Sequence, residues 1–415
     1  MTVRFLHTSD WQLGMTRHYL AGEAQPRFTA DRVDTVRTLL ALALERECSF
    51  VVVAGDVFDH ANLSPQDMGR ALEAMRCELP VLLLPGNHDP LGTGSLWDSP
   101  AVRDGLPDNV MLLRDSGPVQ VLDGVQVVGA PWRTRKPDAD PVAPALEGLE
   151  ADGTVRVLVG HGMLEELDPD ASSPVTVRRA PLEAALADGR IHYIALGDRH
   201  IRWPQDGRGA IQYSGAHETT SFRETGLGLV LEVQIDPQAP AGSQVTVQDH
   251  QVGRWRHVVI ERELDGPEDL EALAAELDAQ TPKERTMVKT ALRGALTVGQ
   301  AAQLDELLES QGARFASLEA WDRHTDIVIL PSQEEMQEIS LGGFAQQTLE
   351  ELRERAWQPE RERAEDGSPE PIAAEELSEQ AEQEEMLREP APPAEHETAQ
   401  DALRLLVRLS GGQRA

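Results

Sequence analysis

Cysteine is nearly missing: Cys48 and Cys77 are the only two in 415 residues. Both fall in stretches of helical pattern without a Cys-x-x-Cys spacing, so neither a disulfide framework nor a structural zinc site is expected, and both read as core packing. Long apolar runs are missing too. None approaches the roughly 20 residues that a membrane-spanning helix needs, so no membrane partner is expected. The first residues enter a strand-like pattern without the basic flank, apolar stretch and small-residue cleavage site of a signal peptide, which predicts a cytoplasmic protein. Bases are scarce: 38 Lys and Arg stand against 71 Asp and Glu, a net charge of -33. That balance opposes a polyanionic substrate, since nucleic-acid binders usually present a basic surface. The deficit is uneven, however. Between Glu334 and Asp401 there are 21 acidic and 5 basic residues, a like-charged block that reads as a disordered tail. About half of the net charge therefore lies outside the part that would hold a substrate, and DNA binding would depend on local basic patches and metal ions.

What is present is a recurring alternation of strand and helix. Short Val, Ile and Leu runs at 3–6, 50–54, 81–84, 125–128, 155–159 and 191–196 have the character of buried strands. Helical periodicity at 31–46 and 66–78 separates several of them, which predicts a layered α/β domain. Further strands are expected at 213–215 and 228–235, with the sheet ending near Val252. A second, smaller α+β pattern follows: strand 257–262, helix 267–279, strand 286–293, helix 298–311, strand 314–321. The chain thus divides into a first domain at 1–253, a second at 254–333, a helix (344–357) with an acidic linker at 334–400, and an amphipathic helix at 401–415.

The chemistry lies where the strands end. Five apolar runs each lead into a turn bearing metal-ligand residue types: Asp10; Gly55-Asp56; Gly86-Asn87-His88-Asp89; Gly160-His161; and Gly197-Asp198-Arg199-His200. Ligands of α/β sheets sit outside the carboxyl ends of the strands, so all five can face one cleft. One strand followed by Gly-Asp is commonplace, and a lone histidine at a strand end is more often a satisfied polar residue than a ligand. The ordered set of five is not commonplace. Asp10 and Asp56 offer anionic oxygens, His161 and His200 imidazole nitrogens, and Asn87 a neutral carbonyl, a mixture suited to manganese, iron or zinc rather than calcium. A carboxylate such as Asp56 can bridge two cations. Two cations about 3.5–4 Å apart can clamp phosphate oxygens and lower the pKa of water toward about 7, for in-line attack on phosphorus. His88 is placed to contact the phosphate or protonate the leaving oxygen.

The ordered strings HTSDWQLG, GDVFD, GNHD, GHG and GDRH resemble the calcineurin-like metallophosphoesterases. Within that superfamily HTSDWQLG, GDVFD and the later YSG resemble the SbcD-like nucleases, over roughly residues 1–330. The resemblance implies a sandwich of two β-sheets flanked by helices plus a small α+β capping domain. It also implies a DNA nuclease, exonuclease and endonuclease, that acts in double-strand break repair as a homodimer with an SbcC-like coiled-coil ATPase. Two departures matter. The usual Asp-x-His pair has Gln12 at its second position, and the usual Gly-His-x-His has Asp198 in place of its first histidine. Both remain oxygen donors, so the expected ligand set is Asp10, Gln12, Asp56, Asn87, His161, Asp198 and His200, holding two divalent ions with manganese favoured over zinc.

Other features stay open. The string Leu409-Ser410-Gly411-Gly412-Gln413 matches the ABC-ATPase signature, but the chain has no Gly-x-x-x-x-Gly-Lys-Ser/Thr loop and the match reads as coincidence. Leu403, Leu406 and Val407 share a helical face that fits either docking on the ATPase partner or packing back on the cap. Arg133, Arg135 and Lys136, like Arg178 and Arg179, suit phosphate contacts and a solvated loop equally. Besides the nuclease reading, a phosphodiesterase acting on nucleotides or other small phosphoesters is open. So is a non-catalytic DNA-end-binding scaffold, should Gln12 and Asp198 have weakened one metal position.

Overall fold

The computed structural model describes residues 2–168, 173–240 and 242–330. The described residues form two compact units: those up to Thr220 with Gly226–Trp255, and Ser221–Thr225 with the described residues from Arg256 to Leu330. The expected helix at 344–357, the acidic linker and the helix at 401–415 lie outside the described residues.

The first unit is a sandwich. Strands β1 (Val3–Thr8), β2 (Val51–Val53), β3 (Val81–Leu83) and β4 (Val110–Leu112) are laid down side by side and parallel. The chain then crosses to a second sheet of β5 (Val119–Leu122), β6 (Val125–Gly129), β7 (Val155–His161), β8 (Tyr193–Gly197) and β9 (Ile211–Tyr213). It returns to the first with β10 (Leu229–Ile235) and β11 (Val245–Gln251), giving the order β11-β10-β1-β2-β3-β4. Alternate residues of the two sheets interdigitate: Val3, Phe5, Val52 and Leu82 pack against Val127, Val157, Val159 and Tyr193. The opposite faces of the same strands meet helices. Leu6, Val51, Val53 and Leu83 lie under α1 (Ala24–Glu45) and α2 (Pro65–Ala74), with Val102 of α3 (Pro100–Gly105) alongside. On the second sheet Leu158, Ile194 and Leu196 lie under α4 (Arg179–Ala187). Burial on both faces is why β2, β3 and β8, and β7 apart from Arg156 and His161, read as apolar runs.

The structure departs from the expected elements at several points, and helices α3 and α4 and the strand Asp326–Leu330 were also not expected. Helix α1 starts at Ala24 rather than 31, because its first turns contribute only Ala24 and Phe28 to the core and show little periodicity. Strands β4 and β5 were not expected from the pattern. Each is an edge strand of three or four residues, and short, half-covered edges carry only weak hydrophobic patterning.

In the second unit β12 (Arg256–Leu264), α5 (Pro267–Ala279), β13 (Thr286–Thr297), α6 (Val298–Gly312), β14 (Ser317–Ala320) and β15 (Asp326–Leu330) form an all-parallel four-stranded sheet centred on β13. Leu270, Leu273 and Leu277 of α5 bury against Ile260, Val288 and Leu292. Helix α6 opens with a capping box between Thr297 and Gln300. Phe222, on the short segment shared with this unit, stacks edge-on to His257 with ring centres 4.9 Å apart. Among the described residues no helix is long and apolar enough to cross a membrane.

Candidate metal centre

The carboxyl ends of β1, β2 and β3 from one sheet meet those of β7 and β8 from the other, and the loops are zipped together by backbone bonds. Asp10 N donates to Gly55 O at 3.1 Å, and Gln12 N to Asp56 O at 2.8 Å. All the residues singled out in the sequence arrive here: Asp10 and Gln12 after β1, Asp56 after β2, Asn87 and His88 after β3, His161 at the end of β7, and Asp198 and His200 after β8. Ligand atoms of Asp10, Asp56 and His161 lie within 4.8 Å of one another, and all three side chains are buried.

The backbone is bent to make this possible. Among the described residues five that are not glycine have positive φ, and four of them are Asp10 (52°), Gln12 (41°), Asp56 (52°) and Asp198 (88°). Such conformations cost on the order of 1–3 kcal/mol each and persist where surrounding structure enforces them, which is characteristic of functional sites. Close approach also demands glycine. A Cβ on Gly55 would lie 2.0 Å from His161 Nδ1, and one on Gly86 would lie 2.1 Å from Asp56 Oδ1.

Two overlapping donor groups result. In the first, His161 Nδ1 faces the Ala54 carbonyl at 2.8 Å. A carbonyl only accepts, so Nδ1 carries a proton, and Nε2 points inward, where it offers a lone pair once its own proton has left. That nitrogen lies 2.7 Å from Asn87 Oδ1, 3.4 Å from Asp56 Oδ1 and 3.7 Å from Asp198 Oδ1. With the Asn87 amide turned over, its NH2 would instead donate to Asp56 at 3.1–3.2 Å and to His161 at 2.7 Å. The oxygen-inward orientation is the one that a shared cation selects. In the second group His200 Nε2 lies 3.8 Å from Asp10 Oδ1 and 3.3 Å from Gln12 Nε2. Gln12 Oε1 is buried without a hydrogen-bond partner, an orphaned acceptor of the kind a cation satisfies. Asp198 belongs to both groups through its backbone, whose N–H donates to Asp10 Oδ1 at 3.0 Å. The donor set of oxygens with two imidazoles therefore fits divalent metal.

Electrostatics report the same concentration of negative charge. Burial pushes the Asp10 carboxyl up, against the pull of His200 and His161 and with the help of Asp56. Asp198, 29% exposed at its side chain, is likewise raised, by burial and then by Asp56 and Asp10 against His161 and His200. Burial opposes ionisation of Asp56 as well, but the charge and hydrogen bond of His161, with His88, outweigh it and hold Asp56 low. His161 is raised well above the usual imidazole value: burial opposes this, and Asp56, Asp198 and Asp10 prevail. Where no metal is bound, a proton on His161 is the cation that these carboxylates share.

His88 hangs at the rim. Its Nδ1 lies 2.8 Å from the Asp59 carbonyl, its N–H donates to Asp56 Oδ1 at 3.0 Å, and its Nε2 is 3.9 Å from Asp56 Oδ2. Several supporting residues escaped the sequence reading. Asp89, raised to about 7 by burial and by Asp56, accepts from Gly86 N at 2.7 Å and Phe58 N at 3.0 Å, tying two site loops together. Its place in the GNHD string was the one available signal. Thr220 Oγ1 lies 2.6 Å from His200 Nδ1, and nothing in the sequence marks it. Trp132 locks the basic loop to the site: its Nε1 donates to His161 O at 2.7 Å and its N–H to Pro85 O at 3.1 Å. The exposed Arg133, Arg135 and Lys136 follow directly. Arg133 Nη2 donates to the Arg114 carbonyl at 3.1 Å, and Arg179 is engaged by Glu166 and Glu183.

A two-sheet sandwich whose strand ends gather carboxylates, an amide and imidazoles around one point defines a metal-dependent phosphoesterase. The chain belongs to the calcineurin-like phosphoesterase family, whose model matches residues 3–228. It is 27% identical over 244 residues to the DNA double-strand break repair protein Mre11 of Archaeoglobus fulgidus, covering 54% of this chain and 52% of that protein. It is 28% identical over 272 residues to the SbcD component of the nuclease SbcCD of Rhodobacter capsulatus, covering 54% and 64%. A shorter match to the SbcD component of the same nuclease in Bacillus subtilis, 35% identical over 92 residues, covers 21% and 22%. The chain spans about half the length of the first of these relatives and less than two thirds of each of the others.

Proposed function

We propose that this chain is a DNA nuclease with a dinuclear metal centre, acting as an exonuclease and endonuclease in double-strand break repair. The observation that carries the reading is the inward convergence of Asp10, Asp56 and His161 with the Asn87 and Gln12 oxygens. Asp10, Gln12 and His200 would hold one ion, Asn87, His161 and Asp198 the other, and Asp56 would lie between. When bound, the ions supply Lewis-acid polarisation of the phosphate and acidification of water. The protein's own part is positional. The carbonyls of Ala54 and Asp59 fix the ring orientation of His161 and His88, and His88 presents Nε2 at the rim to bind the phosphate or protonate the leaving oxygen. Gln12 and Asp198 stand where imidazoles are usual in the family, so the site is harder and manganese is the favoured metal over zinc.

A polyanionic substrate must be held against a chain of net charge -33. The loop of Arg133, Arg135 and Lys136, fastened through Trp132 to His161 and Pro85, supports DNA by offering exposed cations next to the centre. The named relatives support the same substrate class, and partnership with an SbcC-like coiled-coil ATPase and homodimerisation belong to this reading. The acidic composition favours a second reading, a phosphodiesterase of small esters. End-labelled linear DNA and a small phosphodiester, each offered with manganese, distinguish the two: cleavage of DNA is expected, and turnover of the small ester alone would reject the nuclease reading. His88→Ala should lower the cleavage that the parent shows by about 100–10,000-fold; a parent without any metal-dependent cleavage would leave the DNA-end-binding scaffold.

A further inference from the structure

The two donor groups share backbone bonds but are braced by different side chains. Asn87, His161 and Asp56 rest on the sandwich and its loops, through the Ala54 carbonyl and the Asp89 carboxylate. The segment that carries Asp10 and Gln12 and the segment whose Thr220 faces His200 both meet one side chain of α1. Arg32 is fully buried. Its guanidinium donates to the Trp11 carbonyl at 2.7 Å and to the carbonyls of Glu218 and Thr219 at 3.3 Å each. Trp11 stands between Asp10 and Gln12, the two residues that hold positive φ on either side of it. Thr219 precedes Thr220, whose hydroxyl is 2.6 Å from His200 Nδ1. The fork is itself braced: His217 Nε2 lies 3.0 Å from the Arg32 carbonyl, and Thr35 donates to the Glu218 carboxylate at 2.5 Å.

The geometry assigns Arg32 as a positioning residue for the Asp10, Gln12 and His200 half of the metal centre, with Thr220 as its relay to His200. A planar guanidinium can tie three carbonyls from two separate segments in one fixed geometry, which a lysine ammonium cannot reproduce. The pair of left-handed residues around Trp11 has to be held by surrounding structure, and this fork holds the carbonyl between them. Thr220 fixes the plane of the His200 ring through the nitrogen that does not face Asp10. Groups that orient metal ligands in this way typically change metal affinity by about 10–100-fold when removed.

This inference rests on the dinuclear reading, and the test separates the two. Manganese binding to the full chain is measured by calorimetry and by metal content after gel filtration, for the parent, Arg32→Gln and Thr220→Val, with thermal melting of the metal-free proteins alongside. The parent should bind two ions. Each variant should keep one at parental affinity and bind the other about 10–100-fold more weakly, with Thr220→Val melting near the parent. Two ions at parental affinity in Thr220→Val would overturn the relay, and the same result in Arg32→Gln would overturn the positioning role. Equal weakening of both ions in Arg32→Gln would overturn it too, since it would show a general structural effect. If Arg32→Gln does not fold, Thr220→Val decides alone. A parent that binds fewer than two ions would instead reject the dinuclear reading itself, and this inference with it.

Discussion

At the scale of single residues, the site consists of groups whose ordinary preferences are overridden by their neighbours. His161 gives the clearest pH consequence. Its folded-state pKa lies well above the usual value because three carboxylates outweigh burial. Its stabilising contribution is therefore fully present below the unfolded pKa of about 6.5 and is lost as pH rises through the folded value. The metal-free protein should accordingly lose thermal stability as pH is raised above about 6.5, while manganese, which displaces that proton, should restore it and bind more tightly at higher pH. Melting curves across pH 6 to 9, with and without manganese, check both signs. His88→Ala should lower cleavage by about 100–10,000-fold, the usual worth of a general acid, with manganese stoichiometry unchanged. Gln12→His should raise zinc affinity relative to manganese, measured by competition calorimetry, because an imidazole replaces an amide oxygen. The candidate ligands were legible in the sequence because metal-ligand types recur at strand ends. Arg32 was not: in a helical pattern a lone arginine reads as a solvated side chain, and only the fold shows that it points inward.

At the scale of elements, the inner strands were legible because burial on both faces leaves unbroken apolar runs such as Val51–Val53 and Val81–Leu83. Edge strands such as Val110–Leu112 were hidden because partial burial imposes little pattern. The turns after the inner strands were legible as glycine followed by a ligand, but the reason for the glycine is spatial. Gly55 and Gly86 are where one strand end must approach a ligand from another, which no local pattern records. Gly86→Ala would force a methyl to about 2 Å from the Asp56 carboxylate, well inside any real contact. It should destabilise the fold by about 1–3 kcal/mol and weaken manganese binding, read by denaturant midpoint and calorimetry.

At the scale of the whole molecule, charge is the decisive quantity. A chain of net charge -33 attracts divalent cations and repels a polyanion, so the proposed DNA substrate would have to be held by local cations. Replacing Arg133, Arg135 and Lys136 together by Ala should weaken DNA binding and flatten its salt dependence, each lost phosphate contact reducing the log–log slope by about 0.9 for duplex DNA. Turnover of a small phosphodiester should stay unchanged in that variant, because none of the three is a candidate ligand. The acidity of 334–401 was legible from composition alone, whereas the closeness of the basic loop to the centre became visible only through Trp132 and its bond to the His161 carbonyl. The most direct measurement is anomalous diffraction from crystals soaked in manganese. The account predicts two peaks, one beside Asp10, Gln12 and His200 and the other beside Asn87, His161 and Asp198, with the Asp56 carboxylate between them. A single peak, or none at saturating manganese, would contradict it.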